Sequence, residues 1–366
     1  MNKSIKPGPT WTHRYKENWD EAYKNMMAWW HGESNGRPVV LTGVPKSDAS
    51  PFMPSKDPGT NEARDLDEQY QFERNLHFVL SRLFPAESVP YVSTGFASSI
   101  GMLAGMAGAV IKYDDKTAWV EADDDLYERP LPGFSEGYLP YKTTINLMHR
   151  HIDYYGYDCI IGSDAMMDPI TMLSMMRGVE KLCYDLYDRP EDVRRWLDRL
   201  SDIRYRMAEG YKKVREHYGR SEEINWTGAW APGEMDCLEC DFSTMISSSM
   251  FNDIVMPEVE KEASYYEYCL WHLDGLAEVK HLESICSVGN IYAIQWVAEK
   301  QDGSLNYIDL FKKIRNLGRS LLISCSSADE AVALTRQIGK DGLALSVGGI
   351  KTEKEMEILL KRLVAI

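Results

Sequence analysis

The sequence has no apolar run of about 18 residues or more, so nothing in it reads as a membrane-spanning helix. It lacks a disulfide framework too. Its seven cysteines are an odd number, scattered along a chain of 366 residues. No apolar stretch follows Met1-Asn2-Lys3-Ser4, so the expectation is a cytoplasmic protein with reduced thiols. Positive charge is scarce. Against 56 Asp and Glu stand 41 Lys and Arg, a net charge of −15. Such a surface repels phosphate backbones and anionic lipids, which argues against nucleic acid and membranes as partners. No Gly-rich dinucleotide fingerprint follows the early strands. Cys237-Leu238-Glu239-Cys240 has no second such pair, so it makes no zinc ribbon. Asp123-Asp124-Asp125 lacks the spaced ligands and glycine of a calcium loop.

What is present is a large potential core, 44% hydrophobic residues, and a repeated alternation of short apolar runs with amphipathic segments. Strands are expected over 37–42, 89–94, 159–164, 224–230, 270–274, 291–296, 321–324 and 342–346. Helices are expected over 64–83, 98–109, 169–186, 191–217, 249–269, 276–286, 307–317, 327–338 and 351–363. Strands separated by helices of that length form parallel βαβ units. About eight of them predict an α/β fold, a (β/α)₈ TIM barrel over 36–366. Residues 1–35 form an N-terminal helical extension, with a Trp- and Met-rich stripe from Trp19 to Trp30 that serves packing or a homodimer contact.

The chemistry concentrates at expected strand ends, where barrel enzymes keep their sites. Trp271-His272-Leu273-Asp274-Gly275 ends one strand, with His272 and Asp274 on one side of it and Gly275 free to turn the chain. The pair reads as metal ligands or acid/base groups, or else as a core histidine and a helix cap. Gln295 and Trp296 end the next strand and suit recognition of a small organic ligand, with packing the other use of Trp296. Trp226 and Trp230 fall on one face of an expected strand. If inward, they line an aromatic pocket for a methylated cation or an aryl methyl ether. Asp164 is catalytic or caps the helix after it. Glu234, Asp236 and Asp241 flank the C-x-x-C, and one of them is a candidate third metal ligand or general base. Cys325 is another candidate ligand or an inert buried thiol.

Several blocks occur in one order: Met176-Arg177-Gly178-Val179-Glu180 with Asp188-Arg189-Pro190-Glu191-Asp192-Val193, then Cys240-Asp241-Phe242-Ser243-Thr244-Met245-Ile246-Ser247. Met250-Phe251, Met256-Pro257, His272-Leu273-Asp274-Gly275 and Ile294-Gln295-Trp296 follow. Together they resemble the uroporphyrinogen decarboxylase superfamily, which includes corrinoid-dependent methyltransferases. The resemblance runs from about residue 85 to the end. It implies a methyltransferase that moves a methyl group between a small methylated compound and a corrinoid protein or thiol. It also implies Zn²⁺, the corrinoid being carried by a partner protein. The zinc enzymes have His-x-Cys at the critical strand, and here Asp274 stands where the cysteine would be. Ser346, Gly348 and Gly349 occupy the region of the later cysteine. The metal set expected here is therefore His272 and Asp274, with Cys325 or Glu234 as third ligand. The Met-Arg-Gln-Ala-Gly-Arg of the decarboxylases is replaced by Thr42-Gly43-Val44-Pro45, which removes the arginines suited to a polycarboxylate. Two other readings stand beside the methyltransferase. One is a decarboxylase of a small carboxylated substrate, a tetrapyrrole-like one included, with Asp164 or Asp274 stabilising a protonated intermediate. The other is a non-catalytic corrinoid-partner protein on a degenerate barrel.

Overall fold

The structure is a computed structural model, which describes residues 14–92, 97–114, 118–163, 167–298 and 303–366. Its strands in chain order are β1 (Val39–Val40), β2 (Val44–Pro45), β3 (Arg82–Leu83), β4 (Tyr91–Val92), β5 (Ile111–Tyr113), β6 (Ala118–Val120) and β7 (Ile160–Ile161). Then come β8 (Glu223–Ile224), β9 (Trp230–Ala231), β10 (Met235–Leu238), β11 (Tyr268–Asp274), β12 (Ile291–Val297), β13 (Ser320–Cys325) and β14 (Leu343–Val347).

The main sheet is parallel, in the order β1-β14-β13-β12-β11-β10. The first strand of the chain thus lies beside the last, Val39 opposite Ala344. β4 and β7 form a separate parallel pair. Helices connect β11 to β12, β12 to β13 and β13 to β14, as parallel neighbours require. The fold is therefore mixed α/β with a six-stranded parallel sheet; among the described residues the β4–β7 ladder remains separate from it.

Alternation along the strands sorts their side chains into two cores. Cys269, Trp271 and Leu273, Ile294 and Trp296, and Leu321, Ile323 and Cys325 face the surrounding helices. The opposite faces meet in a second core, with Leu41, Ile160, Ile224, Cys237, Leu270, Ala293, Leu322 and Ala344. The helix Trp19–Trp30 plugs this second core, and its Trp19, Trp29 and Trp30 are at most 1% exposed. The indoles of Trp29 and Trp30 are satisfied as they are buried. Trp29 Nε1 donates to the Leu321 carbonyl at 3.0 Å, and Trp30 Nε1 to the Trp230 carbonyl at 3.0 Å. These tryptophans belong to the chain's own core, so they offer no face to a second subunit. Glu87 ties the plug to β1: it accepts from Asn25 Nδ2 at 2.7 Å, Arg37 Nη2 at 2.7 Å and Val40 N at 2.8 Å.

Four expected elements are corrected. The helix expected over 64–83 breaks at Asp67, whose side chain caps the second helix by accepting from Tyr70 N at 2.8 Å. The helix expected over 169–186 breaks at Gly178, whose φ of +93° a helix cannot hold. The helix expected over 249–269 ends at Ala263, after a π-helical turn at Phe251–Val255 that precedes Pro257. The strand expected over 224–230 is two short antiparallel pieces, β8 and β9, around a turn. Asn225 builds that turn, its side chain accepting from Thr227 N at 3.0 Å, and Gly228 completes it at φ +81°. The segments 111–120 and 235–238, and the helix Leu139–Tyr155, complete the fold.

Candidate functional site

β11 is flanked on both sides, by β10 and β12, and its burial follows from that central place. His272 pairs in register with Gln295, both on the face away from the helices. The His272 Nδ1–H donates to Gln295 Oε1, an atom that only accepts, so the ring is held with its proton on Nδ1. Nε2 is then the nitrogen left for chemistry. The Trp226 ring meets the imidazole edge-on, with centroids 5.0 Å apart. Asp274 is exposed, two residues beyond His272. Gly275 turns the chain at φ +86°, and Asp274 N then donates to Glu278 Oε2 at 3.1 Å.

Asp241 joins this group from the segment after β10. Burial raises its carboxyl above the ordinary range; His272 opposes this and Asp274 adds to it. Glu278 lies beneath, 1% exposed, and its Oε1 accepts from Ser243 Oγ at 3.2 Å. Burial, with hydrogen bonds opposing and Asp241 and Asp274 adding, pushes its carboxyl up to about 8. Sequence reasoning missed Glu278. Its spacing in His-x-Asp-Gly-x-x-Glu was a usable signal, because a Glu one turn into a helix reaches back to the amide that precedes it. Next to His272 opens a cavity of about 330 Å³ with Trp226, Thr227 and Ser346 on its lining. His272 and Asp274 stand at the C-terminal end of their strand, the end where parallel α/β folds commonly carry ligands.

The other expected residues do not come to it. Trp230 is fully buried at the far end, its Nε1 donating to the Glu87 carbonyl at 2.9 Å beside Trp19. It shares no pocket with Trp226, because the turn at Asn225 separates the two. Trp296 points the other way from Gln295 and packs on Tyr307, with ring centroids 4.9 Å apart. Cys325 also lies on the helix-facing side, and burial pushes its thiol up to about 12. Glu234 precedes β10 at the opposite end of the strands and is held by Arg215. Asp236 pairs with Arg204 at 2.8 Å. Neither Cys325 nor Glu234 can complete a metal set with His272 and Asp274. Among the described residues no group of three or more His, Cys, Asp or Glu side chains is placed to hold a metal ion. The described residues do not fit the expected zinc site. Asp164 lies outside the described residues.

No family model matches the chain, and no curated protein matches it. A solved structure does. The chain has the fold of a methyltransferase from Methanosarcina mazei. The superposition covers 94% of this chain and 97% of that one, at a TM-score of 0.57 and 16% identity. At that identity the likeness speaks for the fold alone. No helix among the described residues is long and apolar enough to cross a membrane.

Proposed function

We propose that the protein is a methyltransferase-like enzyme of the uroporphyrinogen decarboxylase type, acting on a small molecule at the end of the sheet that carries His272. The observation that supports it is the His272–Gln295 pair, held in one tautomer beside Asp241 and Asp274 at the mouth of a fold shared with a methyltransferase. The strands whose inner faces meet in the second core are read as the wall of a (β/α)₈ barrel. Residues 14–35 then close its lower end, and 36–366 form the barrel.

In this reading the acceptor is a thiol and the donor a methylated corrinoid or small methyl compound. His272 Nε2 takes the thiol proton as the sulfur attacks the methyl carbon, and the carbon's bond to the donor breaks with its electron pair staying on the donor. Asp241 and Asp274 offset the charge that forms on the imidazolium. Trp226 shields one edge of the ring from water. No step passes through a metal.

The test is a methyl-transfer assay with methylcobalamin and a small thiol, alongside zinc analysis of the purified protein. Thioether formation that falls by about 10²–10⁴-fold in His272→Ala supports the reading. Absence of transfer to any thiol, with the protein folded, removes it. A second reading, decarboxylation, gains from the one arginine of the mouth cavity, Arg82. Carbon dioxide released from a carboxylate substrate without thioether would favour that one.

A further inference from the structure

The cavity beside His272 has an apolar floor, an aromatic wall and, among the described residues, a single cation. Leu41, Val89 and Ile224 make the floor, each at most 8% exposed. Phe78, Tyr91 and Trp226 make the wall, with Phe78 and Tyr91 edge to face at 5.1 Å. Arg82 supplies the charge. Its guanidinium carbon lies 4.8 Å from the centroid of the Phe78 ring, a cation–π contact that orients the fork. The pairing of β3 with β2 fixes its backbone, Arg82 opposite Pro45. Gly43, also on the lining, leaves room in front of it: a Cβ there would stand 4.0 Å from Arg82 Nη1.

Arg82 differs from the arginines that ion pairs neutralise in the interior of this acidic chain. Arg37 is neutralised by Glu87, Arg177 by Asp185, Arg204 by Asp236 and Arg215 by Glu234. No described carboxylate lies within ion-pair distance of Arg82. Its charge acts instead on the Tyr91 hydroxyl, opposing the burial that raises it. In a protein of net charge −15, an unneutralised guanidinium set in an aromatic wall matches an anion brought by a ligand.

We propose that this cavity binds a small planar organic acid, its anionic head on Arg82 and its apolar body against Phe78, Tyr91 and Trp226. The volume of about 330 Å³ is that of a site for a single-ring compound. The inference rests on the functional reading only in its direction: Trp226 also touches His272, so the body of the ligand leads toward the imidazole. Carboxylate, sulfonate and phosphate heads present the same oxygen pairs to the fork, and the experiment separates them.

Titration calorimetry of the full chain with benzoate, benzenesulfonate, phenyl phosphate and neutral benzamide tests this. At least one anion should bind about tenfold or more tighter than benzamide, and added salt should weaken it. Arg82→Gln should remove that advantage and leave benzamide unchanged, while Arg82→Lys keeps part of it. Trp226→Ala should weaken all the ligands that bind. Anions that bind no better than benzamide, or equally well to Arg82→Gln, overturn the proposal, as does failure of all three anions at about 10 mM. Circular dichroism of each variant confirms its fold. Arg82-dependent binding without methyl transfer removes the reaction and leaves the anion site. Methyl transfer with binding indifferent to Arg82 does the reverse.

Discussion

His272 is held by one partner. Replacing Gln295 by Leu removes the oxygen that fixes the proton on Nδ1, with little change in shape at a buried position. Nitrogen NMR should then show His272 as a mixture of tautomers where the parent shows the Nδ1–H form. Retention of the single Nδ1–H form in Gln295→Leu would show that something else holds the ring. Glu278 makes a second residue-level case. Its carboxyl is raised in the folded protein to about 8. The stability it contributes is therefore complete below the unfolded value and is lost as pH rises through about 8. Gln at 278 cannot ionise. The urea midpoint of Glu278→Gln should accordingly gain on the parent from pH 6 to pH 9, and a constant difference would argue that Glu278 is already charged at neutral pH. His272 and Asp274 were legible in the sequence, because a polar pair that closes an apolar run, with a glycine directly after it, marks the end of a strand. Cys325 and Trp296 were legible only as residue types. Their faces depend on register, and a shift of one residue exchanges the two faces of a strand.

At the scale of elements, the breaks are set by a few side chains. β7 ends where Gly162 passes close to its neighbours. A Cβ at this position would stand 2.8 Å from the Ile224 carbonyl oxygen and 3.4 Å from that of Val92. Both are backbone atoms, so Gly162→Ala must push β7 away from β4 and β8, at about 1–3 kcal/mol. Urea denaturation measures this, and an unchanged midpoint would mean that the three segments are not tightly apposed. Two helices with side-chain N-caps kept their expected starts. Ser327 accepts from Glu330 N at 3.2 Å, and Thr352 and Glu355 form a capping box. The helix that overran, at 249–269, did so because Tyr265 to Leu270 carries apolar residues that suit either periodicity. Pairing with β10 and β12 decides for strand there.

At the scale of the molecule, two features bind distant parts of the chain. Glu87 joins the helix Trp19–Trp30, Arg37 and β1 while fully buried. Removing one member of a buried ionic group leaves the others uncompensated, so Glu87→Ala should cost about 3–5 kcal/mol in denaturant titrations. A loss below about 1 kcal/mol would place the plug outside the cooperative fold. The second feature is an excess of buried acid. Burial pushes Glu223 up to about 7 and Glu262 up to about 8, against the pull of Arg215 and Arg204. Protonated in the fold and ionised when unfolded, they make stability fall as pH rises from about 6.5 to 8. Lys16, lowered by burial to about 7, works the other way only from there upward. Thermal denaturation at pH 6.5 and pH 8 should show the decline, and a rise would mean these carboxyls ionise freely.

The sequence by itself determined the alternation of strand and helix, the parallel order that follows from it, and the strand end where His272 and Asp274 stand. Those follow from local periodicity and from connection length. Only the tertiary structure decided which face each strand turns inward, that Arg82 meets no described carboxylate, and that Asp241 and Glu278 gather at His272 while Glu234 and Trp230 do not. Register and packing between distant segments set these, and neither is written in the spacing of any one segment.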